Sequence, residues 1–221
     1  MLDFLSVAQA CAPDVHPRTL AAIVRTESGF NPFAIGVVNG RLERQPRSLP
    51  EAVATAKALV NANWNASFGL GQINLSNLSA HALDLVTVFD PCKNLKAASS
   101  ILGEAFDRAR VRFPDEQSAL KAALSAYYSG NFSTGFKEGY VERVASNAVA
   151  LQAEVGADAG PAMAVAPATD AKPIRVIPAL QSRKEGVPPQ ASVDGVHKAG
   201  AVPTGPKAGA VNSSVIFVAP Q

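Results

Sequence analysis

Three short stretches of the chain carry residues whose types and spacing could do chemistry. The first is Glu27-Ser28, which follows an apolar face formed by Leu20, Ile23 and Val24 at helical spacing. A carboxyl group at the end of such a face is only partly solvated, which raises its pKa towards the value that a general acid needs near neutral pH. The alternative is an exposed glutamate in the last turn of a helix, although the helix dipole disfavours a negative charge there.

The second stretch is residues 69–74, with the sequence Gly-Leu-Gly-Gln-Ile-Asn. Its two glycines let the backbone approach a ligand or a neighbouring helix closely. Its side-chain amides, on Gln72 and Asn74, can hydrogen-bond sugar hydroxyl and acetamido groups. The alternative is a purely structural turn. A phosphate-binding loop is excluded, because the Gly-x-x-x-x-Gly-Lys pattern is absent.

The third stretch is residues 126–131, Ala-Tyr-Tyr-Ser-Gly-Asn, where a predicted helix ends on Gly130. The hydroxyl of Tyr127 could bond a catalytic carboxyl or a sugar at a cleft. Asn131 is a further candidate for substrate binding. The alternative is an ordinary buried tyrosine followed by a glycine cap.

The elements that must position these residues are helices. Asp90 and Asp115 are predicted N-caps, and residues 48–51, Ser-Leu-Pro-Glu, form a capping box with proline inside the helix start. No stretch shows convincing strand alternation, and residues 31–47 look irregular, so the predicted fold class is all-α. The predicted helices cover about residues 1–12, 17–28, 49–63, 75–85, 91–113, 116–128 and 134–150.

Composition divides the chain at about residue 150. Residues 1–150 hold all three tyrosines, the only tryptophan and nine of the ten phenylalanines, whereas residues 151–221 hold nine of the sixteen prolines. Residues 151–221 also contain two Lys-Ala-Gly-Ala-Val repeats. Such a segment cannot bury enough apolar surface to offset its ordering entropy. We therefore expect one folded domain over 1–150 and a flexible, disordered tail over 151–221.

Several functions are excluded by charge and pattern. The net charge of +2 is not concentrated, so nucleic-acid binding is not expected. No run of eighteen apolar residues exists, so no membrane span is expected. The N-terminal apolar stretch lacks a preceding positive residue and is interrupted by Asp3, which favours a first amphipathic helix over an export signal. His16, His81 and His197 lack metal-ligand spacing, so no metal site is expected.

The two cysteines, Cys11 and Cys92, both lie on faces predicted to point inward. They could be two buried thiols or one disulfide, and the residues alone leave these alternatives open.

Taken together, the three stretches resemble the signature of the soluble lytic transglycosylases: Glu-Ser, then Gly-Leu-x-Gln-Ile, then Ala-Tyr-x-x-Gly. The small transglycosylases of type IV secretion systems, of the VirB kind, are also similar in their opening, for which this chain has Cys-Ala-Pro at 11–13 and Glu-Ser-Gly-Phe-Asn-Pro at 27–32. The resemblance covers about residues 7–150 and implies a lysozyme-like fold.

Residue by residue, the resemblance implies that Glu27 is the lone catalytic acid and that Ser28 steadies the substrate. Gln72 matches the glutamine that lines the sugar cleft, and Tyr127 matches the tyrosine that contacts the catalytic glutamate. Two other positions depart from the pattern. They are Gly71, where many relatives have methionine, and Tyr128, where the broader family has asparagine.

The resemblance also implies the reaction. The expected substrate is the β-1,4 bond between N-acetylmuramic acid and N-acetylglucosamine in peptidoglycan, and the expected product carries a 1,6-anhydro ring. No cofactor is implied. A goose-type lysozyme-like hydrolase, or a non-catalytic peptidoglycan-binding scaffold of a secretion machine, are the alternatives.

The implied cellular setting is the periplasm, although no export signal is evident. Because a wall-cleaving enzyme acts outside the reducing cytoplasm, the resemblance favours a Cys11–Cys92 disulfide. We expect the tail, residues 151–221, to be dispensable for glycan cleavage and to contact other type IV secretion components.

Overall fold

The computed structural model describes residues 4–154 and 171–179, which form two compact units. One unit is helical and comprises residues 4–26 and 99–154. The other carries a sheet and comprises residues 27–98 and 171–179. The helices are α1 (Phe4–Cys11), α2 (Pro17–Ser28), α3 (Leu49–Asn61), α4 (Pro91–Arg110), α5 (Glu116–Ser129), α6 (Thr134–Lys137) and α7 (Tyr140–Glu154). The strands are β1 (Ile35–Val37), β2 (Gly40–Leu42), β3 (Ala66–Phe68), β4 (Ile73–Asn74) and β5 (Val176–Pro178).

Most helix boundaries lie where the caps predict them. Asp90 accepts the Lys93 N–H at 2.8 Å before α4, and Asp115 accepts the Ser118 N–H at 2.7 Å before α5. Gly130 ends α5 with a left-handed φ of 77°. These local bonds satisfy helix-end groups that have no partner within the helix.

The N-terminus of α3 confirms Ser48 as the N-cap, whereas the Glu51 carboxylate accepts the Arg47 N–H rather than the Ser48 N–H of a full capping box. Ser48 Oγ accepts a hydrogen bond from the Glu51 backbone N–H at 3.4 Å. The Glu51 carboxylate pairs with both terminal nitrogens of Arg44 and also accepts the Arg47 backbone N–H. The hydrogen bond from Arg44, followed by the one from Arg47, lowers the pKa of Glu51 to about 2. The loop before α3 is therefore tied to the first turn of that helix.

The core of the helical unit includes the packing of α5 against α6 and α7. A Cβ built on Gly135 would lie 2.6 Å from Ser125 Cα, so only glycine allows α6 to approach α5 this closely. The Gly135 N–H donates to Ser125 Oγ at 2.9 Å, and Tyr128 stacks on Tyr140 at 4.6 Å between ring centroids. The single helix predicted over residues 134–150 is wrong, because Gly139 adopts φ 70° and separates α6 from α7.

The strictly all-α prediction is also wrong, because the second unit contains a small sheet. Its strand order is β4-β3-β1-β2-β5, with every neighbouring pair antiparallel. Strands of two or three residues are too short to show alternation, and β3 is buried at all three positions. Residues 31–47, which look irregular in sequence, contain β1 and β2, joined by a tight turn with Asn39 at φ 59°. The helix predicted over 75–85 is instead two short 3-10 turns, Leu75–Asn77 and Ser79–His81.

Part of the expected flexible tail belongs to this sheet. Residues 171–179 lie beyond the predicted boundary at 150, yet β5 pairs along β2 and Ile177 is 9% exposed. The sequence at 174–178, Ile-Arg-Val-Ile-Pro, is too short a β-branched run to predict a strand by itself. Its partner strand, β2, lies far away along the chain. The rest of the expected tail, apart from the end of α7, lies outside the described residues.

Cys11 and Cys92 are disulfide-bonded, which confirms the pairing favoured by the family resemblance. The prediction that both side chains point inward is wrong for Cys92, which is exposed, and Cys11 is only half-buried. Asn94, two positions further along α4, is fully buried instead. Among residues 4–154 and 171–179, no helix is both long and apolar enough to cross a membrane.

A chain that ends at Glu154 should be less stable than one that ends at Leu180. Removing β5 exposes the β2 edge and deletes the buried Ile177 side chain, whose burial is worth about 2 kcal/mol. Urea unfolding of the two chains, followed by circular dichroism, measures the difference. Equal midpoints and slopes would mean that β5 contributes nothing to the fold.

Candidate active site

Glu27 lies in the last turn of α2 and is buried, with 6% of its surface exposed. The helix ends just beyond it, because Gly29 and Phe30 adopt left-handed φ angles of 57° and 65°. Glycine adopts such angles readily, whereas phenylalanine does so rarely. The apolar residues that precede Glu27 on this face are fully buried, as the spacing predicts.

The last turn of α2 is fixed by two side-chain hydrogen bonds in the helical unit. Thr26 Oγ1 donates to the Ala22 carbonyl oxygen at 2.7 Å. Asn147 Nδ2, from α7, donates to Thr26 Oγ1 at 2.9 Å. The backbone one residue before Glu27 is thereby held against α7.

The loop that carries Gln72 is closed by a buried amide, Asn94. Its Oδ1 accepts the Gly71 N–H at 2.7 Å, and its Nδ2 donates to the carbonyl oxygens of Phe68 and Val88 at 3.0 and 2.7 Å. Asn94 is fully buried, so none of these groups can turn to water instead. A Cβ on Gly69 would lie 2.2 Å from Asn94 Nδ2, and Gly69 has φ 77°, so the loop requires glycine there.

Gln72 is buried, and the amide at the end of its side chain is held by two backbone carbonyl groups. Its Nε2 donates to the carbonyl oxygens of Ala34 and Gly69 at 3.1 and 2.9 Å. Its Oε1 faces Gly36 in β1, where a Cβ would approach to 2.7 Å. Gln72 also has a left-handed φ of 49°, a strained angle for a residue other than glycine. The surrounding bonds hold the backbone at this angle.

Asn74 and Asn131 are engaged in building turns. Asn74 Nδ2 donates to Asn65 Oδ1 and Ser67 Oγ at 2.9 and 3.3 Å, while its Oδ1 accepts the N–H and hydroxyl of Ser76. Asn131 Oδ1 accepts the N–H groups of Ser133 and Thr134 and the Ser133 hydroxyl, just before α6. These contacts give both side chains a structural role, and their predicted contact with substrate stays a prediction.

Tyr127 and Tyr128 are adjacent buried residues near the end of α5. The Tyr128 hydroxyl donates to Glu138 Oε2 at 2.6 Å while its ring stacks on Tyr140. Tyr128, which departs from the family pattern, thus fastens α5 to the segment between α6 and α7.

The structure distributes the predicted site residues over the two units. Glu27, Ser28, Gln72 and Asn74 belong to the sheet-bearing unit. Tyr127 and Asn131 belong to the helical unit. Within residues 4–154 and 171–179, no three His, Cys, Asp or Glu side chains gather as metal ligands.

Sequence reasoning missed Asn94, which holds the Gln72 loop, and Gly36, which leaves room for the Gln72 side chain. A signal for Asn94 was present, because Asn94, Ala98 and Leu102 follow one another at helical spacing. An asparagine on a buried helix face is unfavourable unless its amide is needed. Gly36 had no local signal, since its need for a small residue comes from Gln72.

Residues 4–149 match the model of the transglycosylase SLT domain, which includes Glu27, Gln72 and Tyr127. The chain belongs to the transglycosylase SLT family. Family membership confirms the resemblance that the three sequence stretches carry. No solved structure matches the chain.

Curated relatives of this SLT domain include type IV secretion proteins. The type IV secretion system protein virB1 of Brucella suis biovar 1 is 55% identical over 124 residues, which cover 56% of this chain and 52% of that protein. Protein virB1 of Agrobacterium fabrum is 35% identical over 124 residues, 55% of this chain and 49% of that protein. The chain thus matches about half the length of these relatives.

Replacing Asn94 with leucine should destabilise the SLT domain by about 3 kcal/mol or more. The substitution keeps the volume similar but leaves the Gly71 N–H and the Phe68 and Val88 carbonyl oxygens buried without partners, at about 1–3 kcal/mol each. Urea unfolding measures the loss. Lys96→Leu, at an exposed position of the same helix, is the matched control. Equal stabilities of the two variants would contradict the role given to Asn94.

Proposed function

We propose that this chain is a peptidoglycan lytic transglycosylase that uses Glu27 as its only acid and base. The observation that carries the proposal is burial: in the described part of the chain, Glu27 is the only buried carboxyl or basic side chain. Burying a carboxyl is costly, so fold stability alone gives no reason to keep one. Such a group, within a transglycosylase SLT domain, is the natural candidate for proton transfer.

The proposed reaction passes both protons through the same carboxyl group. Glu27 first protonates the glycosidic oxygen between N-acetylmuramic acid and N-acetylglucosamine, and the bond from C1 to this oxygen breaks. The acetamido group of the muramyl residue stabilises the positive charge at C1, which replaces the second carboxylate of ordinary glycosidases. The Glu27 carboxylate then takes the proton of the 6-hydroxyl as O6 bonds to C1. Glu27 is protonated again, and the product carries a 1,6-anhydro ring.

The other site residues are proposed to bind and orient the glycan. Ser28, half-buried beside Glu27, and Gln72 are the candidates for sugar contacts in the sheet-bearing unit. Tyr127 is proposed to act on the Glu27 carboxyl, as the family pattern implies. The bonds from Gln72 Nε2 to the Ala34 and Gly69 carbonyl oxygens support a rigid Gln72, and a positioned side chain binds a sugar at lower entropic cost.

We further propose a role in type IV secretion, where local wall cleavage would make room for the apparatus. The identity to the Brucella and Agrobacterium relatives, whose names include virB1, supports this assignment. Peptidoglycan lies outside the cytoplasmic membrane, so a periplasmic location follows from the proposed substrate. The Cys11–Cys92 disulfide agrees with an oxidising compartment.

Replacing Glu27 with glutamine should lower the rate of peptidoglycan cleavage at least about a hundredfold, because the amide can neither give nor take the proton. The loss of turbidity of purified sacculi measures the rate. Glu142→Gln, at an exposed position of α7, is the matched control and should keep full activity. An active and folded Glu27→Gln protein would rule out the mechanism.

Mass spectrometry of the products separates the rival reactions. A transglycosylase releases muropeptides that are one water lighter than those of a lysozyme, because the 1,6-anhydro ring replaces the reducing end. Hydrated ends from the wild-type protein would point to a goose-type hydrolase. Absence of any product with the folded wild-type protein would point to a non-catalytic peptidoglycan-binding scaffold.

A further inference from the structure

A groove beside the sheet holds a strand from a distant part of the chain. We define the β2 groove by the edge of β2 that faces away from β1, the facing side of α3 with Thr55 and Leu59, and Trp64. The segment that occupies it is residues 173–179, which include β5. Residues 155–170, which lie between α7 and this segment, are outside the described part of the chain.

Backbone hydrogen bonds hold the segment along β5 and directly before and after it. β5 pairs antiparallel with β2, with Arg41 opposite Ile177. The Glu43 N–H donates to the Arg175 carbonyl oxygen at 2.9 Å, and the Ala179 N–H donates to the Asn39 carbonyl oxygen at 3.0 Å. These bonds are the kind by which a sheet edge takes up an extended peptide.

A buried hydroxyl in α3 extends this recognition beyond the sheet. Thr55 is fully buried, and its Oγ1 accepts the Ile174 N–H at 3.0 Å. A threonine within a helix commonly bonds its own backbone, so a bond to a distant segment is a specific contact. If the segment left, this hydroxyl would lose a partner that another extended peptide could supply.

The side chains of the groove select a particular kind of strand. A Cβ on Gly40 would lie 3.2 Å from Val176 Cγ1, 3.3 Å from the Ile177 carbonyl oxygen and 3.3 Å from Trp64, so β2 lacks a side chain where the segment crosses it. Glu43 lies 3.7 Å from Arg175, which places opposite charges side by side. The groove thus fits a β-branched extended segment that contains one basic residue.

The resident segment does not fill the groove. A pocket of about 240 Å³, open to solvent, lies between α3 and residues 173–176, with Leu59 and Trp64 in its wall. Among residues 171–179, only Ile177 is buried. With one buried side chain, the segment removes little apolar surface from water, so displacing it costs less than displacing a strand of the interior.

We propose that the β2 groove is an exchangeable peptide-binding site, whose resident ligand is residues 173–179 and whose partner is an extended peptide of the pattern Ile-Arg-Val-Ile-Pro. The resident strand competes because it belongs to the same chain, which gives it a high effective concentration. A partner with a larger apolar side chain at the Ile174 position would reach into that pocket. The site is distinct from the proposed catalytic one, because β1 lies between β2 and Gln72.

The test uses the full-length protein and its only tryptophan, Trp64, as the reporter. In Ile177→Asp the resident strand is expelled, because a charge replaces a buried aliphatic side chain. A synthetic peptide of residues 171–179 should then bind at least about tenfold more tightly than to wild type, where the tethered strand competes. Fluorescence titration of Trp64 measures both affinities. A peptide with the same composition in scrambled order should not bind.

Two control variants make the result specific. Val149→Asp introduces the same charge at an exposed position of α7 and should bind the peptide as weakly as wild type does. Adding Gly40→Val to Ile177→Asp should abolish binding, because its side chain occupies the space of the strand. A folded Ile177→Asp protein that ignores the peptide, or binding that survives Gly40→Val, would overturn the proposal.

Hydrogen exchange of the wild-type protein gives an answer even if Ile177→Asp fails to fold. The amides of Glu43 and Ala179, which pair β2 with the segment, should exchange through local opening. They should exchange faster than the Val38 amide, which donates to Asn65 elsewhere in the sheet. Equal exchange of all three amides, at the rate of global unfolding, would show that the strand is permanent and would overturn the proposal.

Discussion

The buried amide of Asn94 is the interaction on which the sheet-bearing unit depends. The chain from Phe68 to Gln72 leaves β3 and turns back into β4 within the protein interior, where backbone polar groups cannot bond water. A helix or a longer strand would supply partners, but this loop has neither. One asparagine accepts from one backbone N–H and donates to two carbonyl oxygens. The requirement for glycine at position 69 follows from this closure, because a Cβ there would collide with the Asn94 amide.

The buried carboxyl of Glu27 is a second constraint, and it limits the chemistry. A site with a single acid must return to its starting protonation state within one turnover. Closing an anhydro ring does this, because the proton lost in the first step comes back from the 6-hydroxyl in the second. The short helix end at Gly29 and Phe30, together with the bond from Asn147 to Thr26, supports a fixed backbone on either side of this carboxyl.

Residues 171–179 contribute a strand to the sheet, although they lie in the low-complexity C-terminal part of the chain. Low complexity favours disorder in general, but a short β-branched run within such a sequence can still pair with a sheet edge. Here β5 covers the edge of β2, which would otherwise present unpaired backbone groups. The same features that make an edge a hazard for aggregation make it a site for a peptide.

The sequence by itself determined the long helices, their caps and the identity of the candidate acid. Asp90, Ser48 and Asp115 act on backbone groups only two or three residues away, so a local pattern predicts them. The motif around Glu27, Gln72 and Tyr127 was recognisable because the order of residues along the chain carries it. The Cys11–Cys92 pairing came from the resemblance, and the residues alone left it open.

Tertiary structure alone decided the sheet, the role of Asn94 and the fate of residues 171–179. Gly36 must be small because Gln72, far along the chain, lies against it. Asn74 and Asn131 offered amides suited to sugars, yet their hydrogen bonds to neighbouring turns appear only when the loops are folded. Helices are stabilised by contacts between near neighbours, whereas short strands and buried amides depend on partners that the chain brings together only on folding.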